Sequence, residues 1–266
     1  MIKNCHPVIY VGTYGEFQKF VITYVDTITA LPKCVVKVPY GHMAKQSIVN
    51  EANTLEQLSI EDRGLNIPKL FSLNEDRGVS VQSIVEGRLS SERFTERHVD
   101  VLLKLINHGS TVCIKSDSEP LIEALNAKNM PTTTGHGFIK NTLLGLDGAL
   151  LLPSTWEHGD FTPWNIKIAH DDLALLDWEA AVKNGVPLQD ICHFFSMQEY
   201  LLDRTQDHIS EIISSSQVNR YISVLGIRQE YVLELIKYYH IKSWCKSVIQ
   251  DPGYAEFSLG KLKGIR

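Results

Sequence analysis

Hydrophobic and polar residues follow two different patterns along the chain, and the pattern changes near residue 87. Before that point, short β-rich runs are bounded by turn residues, which is typical of strands in an antiparallel sheet. The predicted strands are residues 8–13, 19–25, 34–38, 67–73 and 79–85. Within residues 45–59, four apolar side chains share one face and predict a helix packed on this sheet: Ile48, Ala52, Leu55 and Leu58.

Beyond residue 87, apolar side chains recur at helical spacing, so this part is predicted to be mainly helical. The predicted helices are residues 96–108, 119–129, 188–203, 208–224 and 229–250. Strand-like pieces are confined to about residues 165–178, and residues 131–135 are expected to form a loop. We therefore predict an α+β fold with a sheet-containing N-terminal lobe (1–86) and a larger helical lobe (87–266). A cleft between two lobes is the usual place for a ligand.

Composition narrows the classes of partner. The 266 residues are 44% hydrophobic and 21% charged, so the chain can bury a sizeable core. The net charge of -5, with scattered basic residues, does not favour binding to nucleic acid. Five dispersed cysteines without a CxxC pair indicate a reducing cytoplasm, without a disulfide framework or zinc site. No signal peptide is expected, because residues 1–12 lack a basic start and an unbroken apolar stretch. No membrane span is expected either, because the most apolar later run, residues 143–152, is too short.

The densest group of chemically useful residues is H-G-D-F-T-P-W-N at 158–165, followed by L-L-D-W-E at 175–179. Phosphoryl transfer needs one carboxylate to orient the hydroxyl nucleophile, and oxygen ligands that hold magnesium against the phosphates. Asp160, Asn165 and Asp177 supply such a set. Each of these residues alone is explained more simply as a turn former or helix cap. Their combination is what indicates a phosphotransferase.

The same motifs resemble a known family. His158-Gly159-Asp160, with Asn165 five positions later and then the Asp177 segment, is similar to the catalytic loop and metal-binding segment of the aminoglycoside phosphotransferase and choline kinase superfamily, relatives of the protein kinases. Residues 35–38 resemble the third strand with its phosphate-binding lysine, and residues 50–55 the helix whose glutamate pairs with that lysine. The resemblance covers roughly residues 8–195 and implies a two-lobed kinase-like fold.

The resemblance also implies a role for each matching residue. Asp160 is expected to be the catalytic base or the carboxylate that orients the nucleophile, and Asn165 and Asp177 the Mg²⁺ ligands. Lys37 is expected to contact the α- and β-phosphates of ATP, held in place by Glu51, because a lysine on a flexible stem needs a carboxylate partner to fix its ammonium group.

The nucleotide-binding residues include a weaker match. Residues 82–87 fall where the hinge should be, so the backbone of Ser83 and Val85 is expected to bind adenine. The phosphate-covering loop should contain Gly15, but residues 12–16 carry just two glycines. This reduced loop motivates an alternative function, a nucleotide-binding regulatory pseudoenzyme. A protein kinase is disfavoured, because no activation-loop and APE-like segment follows Asp177.

The acceptor is the least defined part of the prediction. Residues 189–266 contain equal numbers of acidic and basic residues, without the acidic excess that a polycationic aminoglycoside would favour. Four aromatic residues could form a cage for a quaternary ammonium group or belong to the core: Tyr238, Tyr239, Trp244 and Tyr254. We predict a small-molecule hydroxyl as acceptor, on a sugar, an amino alcohol or an aminoglycoside-like compound. The sequence does not determine the oligomeric state.

Overall fold

The structure is a computed structural model that describes residues 3–127, 135–169 and 172–265. The chain divides into two compact units, which we call the first unit (Met1–Arg93 with His158–Ala181) and the second unit (Phe94–Glu157 with Val182–Arg266). Residues 158–181 thus belong with the N-terminal residues, whereas the sequence placed them in the C-terminal lobe. The lobe boundary at residue 86 stays a prediction. The loop predicted at 131–135 lies outside the described residues, except for Gly135.

The first part of the chain forms the five strands and the helix that the sequence predicts, and one further short strand, Arg88–Leu89. In chain order they are β1 (Cys5–Val11), β2 (Lys19–Asp26), β3 (Pro32–Pro39), α1 (His42–Glu61), β4 (Leu70–Asn74), β5 (Val79–Ser83) and β6 (Arg88–Leu89). The first five strands make one antiparallel sheet in the order β1-β2-β3-β5-β4. The apolar face predicted for α1 is buried, with Ile48, Ala52, Leu55 and Leu58 each at most 2% exposed. An α+β arrangement of one sheet and one helix is confirmed here.

The remaining elements alternate between helices and short strands. They are α2 (Glu96–Leu103), β7 (Ile106–Cys113), α3 (Ile114–Asn126), α4 (His136–Leu144), β8 (Leu151–Glu157), β9 (Ile166–Ala169), β10 (Asp172–Leu175), β11 (Val182–Gly185), α5 (Gln189–Leu202), α6 (His208–Ser214), α7 (Ser216–Val224), α8 (Val232–Ser247) and α9 (Pro252–Gly264). Strands β10, β9 and β6 form a small sheet in the first unit, and β11, β8 and β7 form another in the second unit. None of the described helices is long and apolar enough to cross a membrane.

Three predictions for the second unit were wrong. Strands are not confined to residues 165–178, because β7, β8 and β11 form a sheet of their own. The helix predicted over 96–108 ends at Leu103, and from Ile106 the backbone pairs with β8 instead, Ile106 lying opposite Thr155. The helix predicted over 208–224 breaks at Ser215, where the backbone is extended and the side chain caps α7 by accepting a hydrogen bond from Val218 N.

The aromatic residues considered for a ligand cage belong to the core of the second unit. Tyr238, Tyr239, Trp244 and Tyr254 are each at most 6% exposed. Tyr239 and Tyr254 share a hydrogen bond of 2.5 Å between their hydroxyl groups, and Ser196 Oγ lies 3.1 Å from that of Tyr254. The hydroxyl groups of Tyr239 and Tyr254 are therefore satisfied by other protein groups, which favours the core interpretation.

Candidate active site

Strands β9 and β10 of the first unit position two of the predicted site residues. Asn165 ends a 3-10 turn that begins at Pro163 and leads into β9, and Asp177 follows β10 after one intervening residue. The two segments are joined by a hydrogen bond of 2.9 Å from Leu176 N to the Asn165 carbonyl. At Asp177 the backbone is left-handed (φ 61°), which turns the chain sharply into the segment at 178–180.

Helix α1 fixes that segment from the other side. The Asn50 side chain donates to the backbone carbonyls of Glu179, at 2.8 Å, and Ala181, at 3.3 Å. The next residue of the helix, Glu51, is fully buried, with 0% of its surface exposed. The same helix therefore positions both the Glu51 carboxylate and the backbone that carries Asp177 and Glu179.

Five charged side chains form a chain of alternating sign. Lys37 Nζ lies 2.7 Å from the Glu51 carboxylate and 2.6 Å from Asp177 Oδ1, so the predicted Lys37–Glu51 salt bridge is confirmed. Lys19 Nζ lies 3.4 Å from the same Asp177 oxygen and forms a second ion pair with Glu179. The order of charges is thus Glu51, Lys37, Asp177, Lys19 and Glu179.

Burial and these contacts together shift the pKa values of the charged side chains. Burial by itself lowers the pKa of Lys37, but the carboxylates of Glu51 and Asp177 outweigh burial and raise it, so the ammonium form is secure. Burial raises the pKa of Asp177, but Lys37 and Lys19 together hold it below its ordinary value. The pKa of Glu179 is raised, mainly by burial and then by the neighbouring Asp177 charge. Asp177 is therefore the firmly ionised carboxylate of the group.

The loop that carries Asp160 is held by its own residues. Asn165 Nδ2 donates to Asp160 Oδ2 at 2.7 Å and to the Asp160 carbonyl at 3.1 Å, which leaves the Asn165 Oδ1 atom for another partner. His158 is buried and lies with Nε2 2.9 Å from the Leu176 carbonyl, while its Nδ1 accepts from Asp160 N at 3.3 Å. These contacts assign the neutral Nε2–H tautomer to His158 and give it a structural role in the loop.

Gly159 is required by the same loop. Its backbone is left-handed (φ 81°), and an added Cβ would lie 2.4 Å from the Ala180 carbonyl oxygen. A side chain at this position would therefore separate the loop from the segment that follows Asp177.

A cavity of about 430 Å³ opens within the first unit beside the alternating charges. Its polar side chains include Lys19, Lys37, Glu51, Gln82, Asn165, Lys167 and Asp177, and its less polar wall includes Tyr10, Val21, Val35, Pro68, Ile84 and Leu176. The predicted hinge residues Ser83 and Val85 also line it. The structure thus brings Lys37, Glu51, Ser83, Val85, Asn165 and Asp177 to one cavity.

Two predicted site residues lie outside the lining of this cavity. Asp160 is connected to it through Asn165, as described above. Gly15 is not connected in this way: an added Cβ there would have no neighbour within 4 Å, although its φ of 145° favours glycine. The phosphate-binding role of Gly15 stays a prediction.

The hinge presents a defined set of backbone groups. Ser83 N donates to the Lys69 carbonyl at 2.8 Å, and the Val85 carbonyl accepts from Lys167 Nζ at 2.7 Å. The Val85 N–H, in contrast, donates to none of the described residues. A nucleobase with a ring-nitrogen acceptor would complement this N–H.

Sequence reasoning missed three residues of the site: Lys19, Lys167 and Glu179. Alternation along β2 could have found Lys19, because Lys19, Val21 and Thr23 share a face and all three line the cavity. Glu179 follows Asp177 by two positions, and its ion pair with Lys19 places its carboxylate beside that of Asp177. Together with Asn165 Oδ1, these carboxylates are the hard oxygen donors that suit Mg²⁺.

Solved structures of other proteins resemble nearly the whole chain. No family model matches the chain, and no curated protein does either. Among solved structures, a choline/ethanolamine kinase family protein from Mesorhizobium loti has a TM-score of 0.64 at 14% identity, with 97% of this chain and 87% of that chain covered. The chain shares the fold of this protein. The resemblance read from the sequence motifs is thereby confirmed at the level of the fold.

Two further neighbours represent both branches of the superfamily. The choline kinase LicA from Streptococcus pneumoniae has a TM-score of 0.61 at 18% identity, covering 98% of this chain and 92% of that chain. A thermostable mutant of the aminoglycoside phosphotransferase APH(4)-Ia has a TM-score of 0.61 at 11% identity, covering 97% and 93%. Neighbours of this kind have been solved with AMP, ADP or ATP.

Proposed function

We propose that the protein is an ATP- and Mg²⁺-dependent phosphotransferase, which moves the γ-phosphoryl group to a hydroxyl of a small molecule. The observation that carries the proposal is the contact of Lys37 with both Glu51 and Asp177, at 2.7 and 2.6 Å, on the wall of a cavity that also contains Asn165 and the hinge. Phosphoryl transfer relies mainly on positioning and charge stabilisation, and these are the contributions that the arrangement can make.

The nucleotide-binding residues follow from the lining of the cavity. The Val85 N–H can donate to the ring nitrogen N1 of adenine, which is an acceptor in adenine but carries a hydrogen in guanine, so we propose ATP as the phosphoryl donor. Lys37, fixed by Glu51, is then the cation for the α- and β-phosphates.

The donor set fits a magnesium ion. Asn165 Oδ1 and the Asp177 carboxylate would hold it, with the Glu179 carboxylate close to Asp177. A bound Mg²⁺ supplies the positive charge that bridges and neutralises phosphate oxygens during transfer. The protein's part is to keep the Asp177 carboxylate ionised and these oxygens oriented, and the lowered pKa of Asp177 serves the first purpose.

Asp160 is proposed as the group that orients the acceptor hydroxyl. Its Oδ2 is held by Asn165 Nδ2 at 2.7 Å, which gives the carboxylate a fixed direction for accepting the hydroxyl proton. The acceptor itself is proposed as a sugar, an amino alcohol or an aminoglycoside-like compound, and the working compartment as the cytoplasm. Nucleic acid and membranes are not among the proposed partners.

A turnover assay tests this proposal. We expect Mg²⁺-dependent release of ADP from ATP in the presence of one of three pooled acceptor sets: sugars, amino alcohols or aminoglycosides. The Asp160→Asn variant, nearly identical in size, should lower this turnover by about 10²–10⁴-fold. Binding of MgATP without turnover on any pool would favour the pseudoenzyme alternative, and no binding of any nucleotide would remove the proposal.

A further inference from the structure

We infer that Lys19 is a second phosphate-positioning residue, and that it takes over the role that a glycine-rich loop would fill with backbone N–H groups. This inference rests on the proposed function, because it assumes that a nucleoside triphosphate occupies the cavity of the first unit. Four observations carry it: the position of Lys19 in the sheet, its ion pairs, the state of the preceding loop and the lining of the cavity.

Strand register places Lys19 at the end of the cavity furthest from the hinge. Thr23 lies opposite Val35, which lies opposite Gln82, so these three residues form one row beside the hinge. Val21 and Lys37 form the next row. Lys19 is four residues from Thr23 on the same face, a distance of about 13 Å at about 3.3 Å per residue. A base at the hinge row and an α-phosphate near Lys37 would therefore place the terminal phosphates near Lys19.

In the loop that precedes Lys19, several backbone groups are already hydrogen-bonded within the protein. Gly12 N donates to the Lys19 carbonyl at 2.9 Å, and Gln18 N donates to the Gly15 carbonyl at 3.0 Å. The Gln18 carbonyl accepts from the N–H groups of Tyr40 and Gly41, which ties the loop to the start of α1.

The packing of the loop agrees with its hydrogen bonding. An added Cβ on Gly41 would lie 2.1 Å from the Glu16 carbonyl oxygen, so the loop lies directly against that turn. Residues 11–18 are all described, and none of them lines the cavity, whereas Lys19 does.

The ion pairs of Lys19 hold its ammonium group beside the proposed magnesium site, where the terminal phosphates would lie. Its ammonium group contacts Asp177 and Glu179, two of the carboxylates proposed for the magnesium site. Three carboxylates and two lysines make up the alternating chain, so the group carries one uncompensated negative charge. A divalent cation on these carboxylates reverses that excess, and Lys19 can then turn from Glu179 towards a phosphate oxygen on its flexible stem.

The test measures how the effect of Lys19 depends on the number of phosphates. ATP, ADP and AMP are titrated calorimetrically, at saturating Mg²⁺, into the wild-type protein, Lys19→Gln, Lys19→Met and Lys19→Arg. Loss of one charged hydrogen bond weakens binding by about 10- to 100-fold, so Lys19→Gln and Lys19→Met should show this for ATP and stay within about 2-fold for AMP. Lys19→Arg keeps the charge and should retain most of the ATP affinity.

Lys45→Gln is the matched control, because Lys45 is an exposed lysine of the same unit that donates to the Asp76 carbonyl, away from the cavity. It should bind all three nucleotides like the wild type. Equal weakening of ATP and AMP in both neutral variants, or wild-type ATP binding in either of them, would overturn the role of Lys19 while leaving the proposed function intact. A wild-type protein that binds no nucleotide would instead overturn the proposed function and, with it, this inference.

Discussion

Replacing Lys37 by Met should destabilise the first unit more than replacing Glu51 by Gln, although the two residues form one ion pair. Glu51 is 0% exposed, and Lys37 lies 2.7 Å from its carboxylate. Without Lys37, the fold must keep a buried carboxylate that has lost its cation, or protonate it. Removing one partner of a buried pair in this way costs about 3–5 kcal/mol.

Replacing Glu51 instead leaves the Lys37 ammonium group with a carboxylate partner. In Glu51→Gln, the Lys37 ammonium remains 2.6 Å from Asp177, and the glutamine side chain can still accept a hydrogen bond. We expect a loss of about 1–3 kcal/mol, the range for one hydrogen bond to a charged group. In the double variant Lys37→Met, Glu51→Leu, two apolar side chains replace both charges, and much of the stability lost in Lys37→Met should return.

Urea unfolding followed by circular dichroism measures these differences as shifts of the transition midpoint. Lys45→Met serves as a control for removing a lysine from the same unit, and as a surface change it should alter stability by no more than about 0.5 kcal/mol. The reasoning is refuted if Glu51→Gln proves as destabilising as Lys37→Met, or if the double variant is less stable than Lys37→Met.

Two further predictions concern the second unit. Burial lowers the pKa of His98 from 6.5 to about 4, so the folded state prefers the neutral imidazole. The stability that the neutral His98 contributes is therefore fully present above about pH 6.5 and is lost as the pH falls towards 4. In urea titrations at a series of pH values, His98→Gln should flatten the dependence of stability on pH between about 6.5 and 4. Asp207 caps α6 by accepting from Ser210 N at 3.0 Å. Asp207→Ala should therefore cost about 1 kcal/mol in urea unfolding, whereas Asp207→Asn, which can still cap, should cost less; equal losses would contradict the capping role.

The first unit could be predicted well because its signals are local. Alternating strands joined by short turns leave one simple arrangement, and the apolar face of α1 identifies the side on which it packs. The Lys37–Glu51 contact could be predicted because residues 35–38 and 50–55 resemble the strand and helix whose lysine and glutamate pair in a known family. Alternation places Lys19 on the cavity face of β2, but its ion pairs join it to Asp177 and Glu179, which are 158 and 160 positions away in the chain and were not linked to it by any local pattern.

The second unit shows where local patterns fail. Residues 106–113 contain mixed apolar and polar side chains, and their strand conformation depends on pairing with β8, about forty positions later in the chain. The break at Ser215 depends on one side-chain cap that hydrophobic spacing does not reveal. The buried aromatic residues of α8 were ambiguous for a similar reason, because spacing alone does not distinguish a core from a ligand cage.

We propose that Asp160 and Asp177 belong to one phosphoryl-transfer site, in which Asp160 orients the acceptor hydroxyl and Asp177 binds the metal. Calorimetric titration of MgATP into Asp160→Asn and Asp177→Ala, with turnover measured on the same samples, tests this claim most directly. Asp160→Asn should bind MgATP nearly as the wild type does and lose about 10²–10⁴-fold in turnover, because its amide oxygen can still accept from Asn165 Nδ2 but the side chain can no longer take the hydroxyl proton. Asp177→Ala should lose both nucleotide affinity and turnover, because it removes a proposed metal ligand and the partner of Lys37 at 2.6 Å. Normal MgATP binding and turnover in Asp177→Ala, together with abolished binding in Asp160→Asn, would contradict the account.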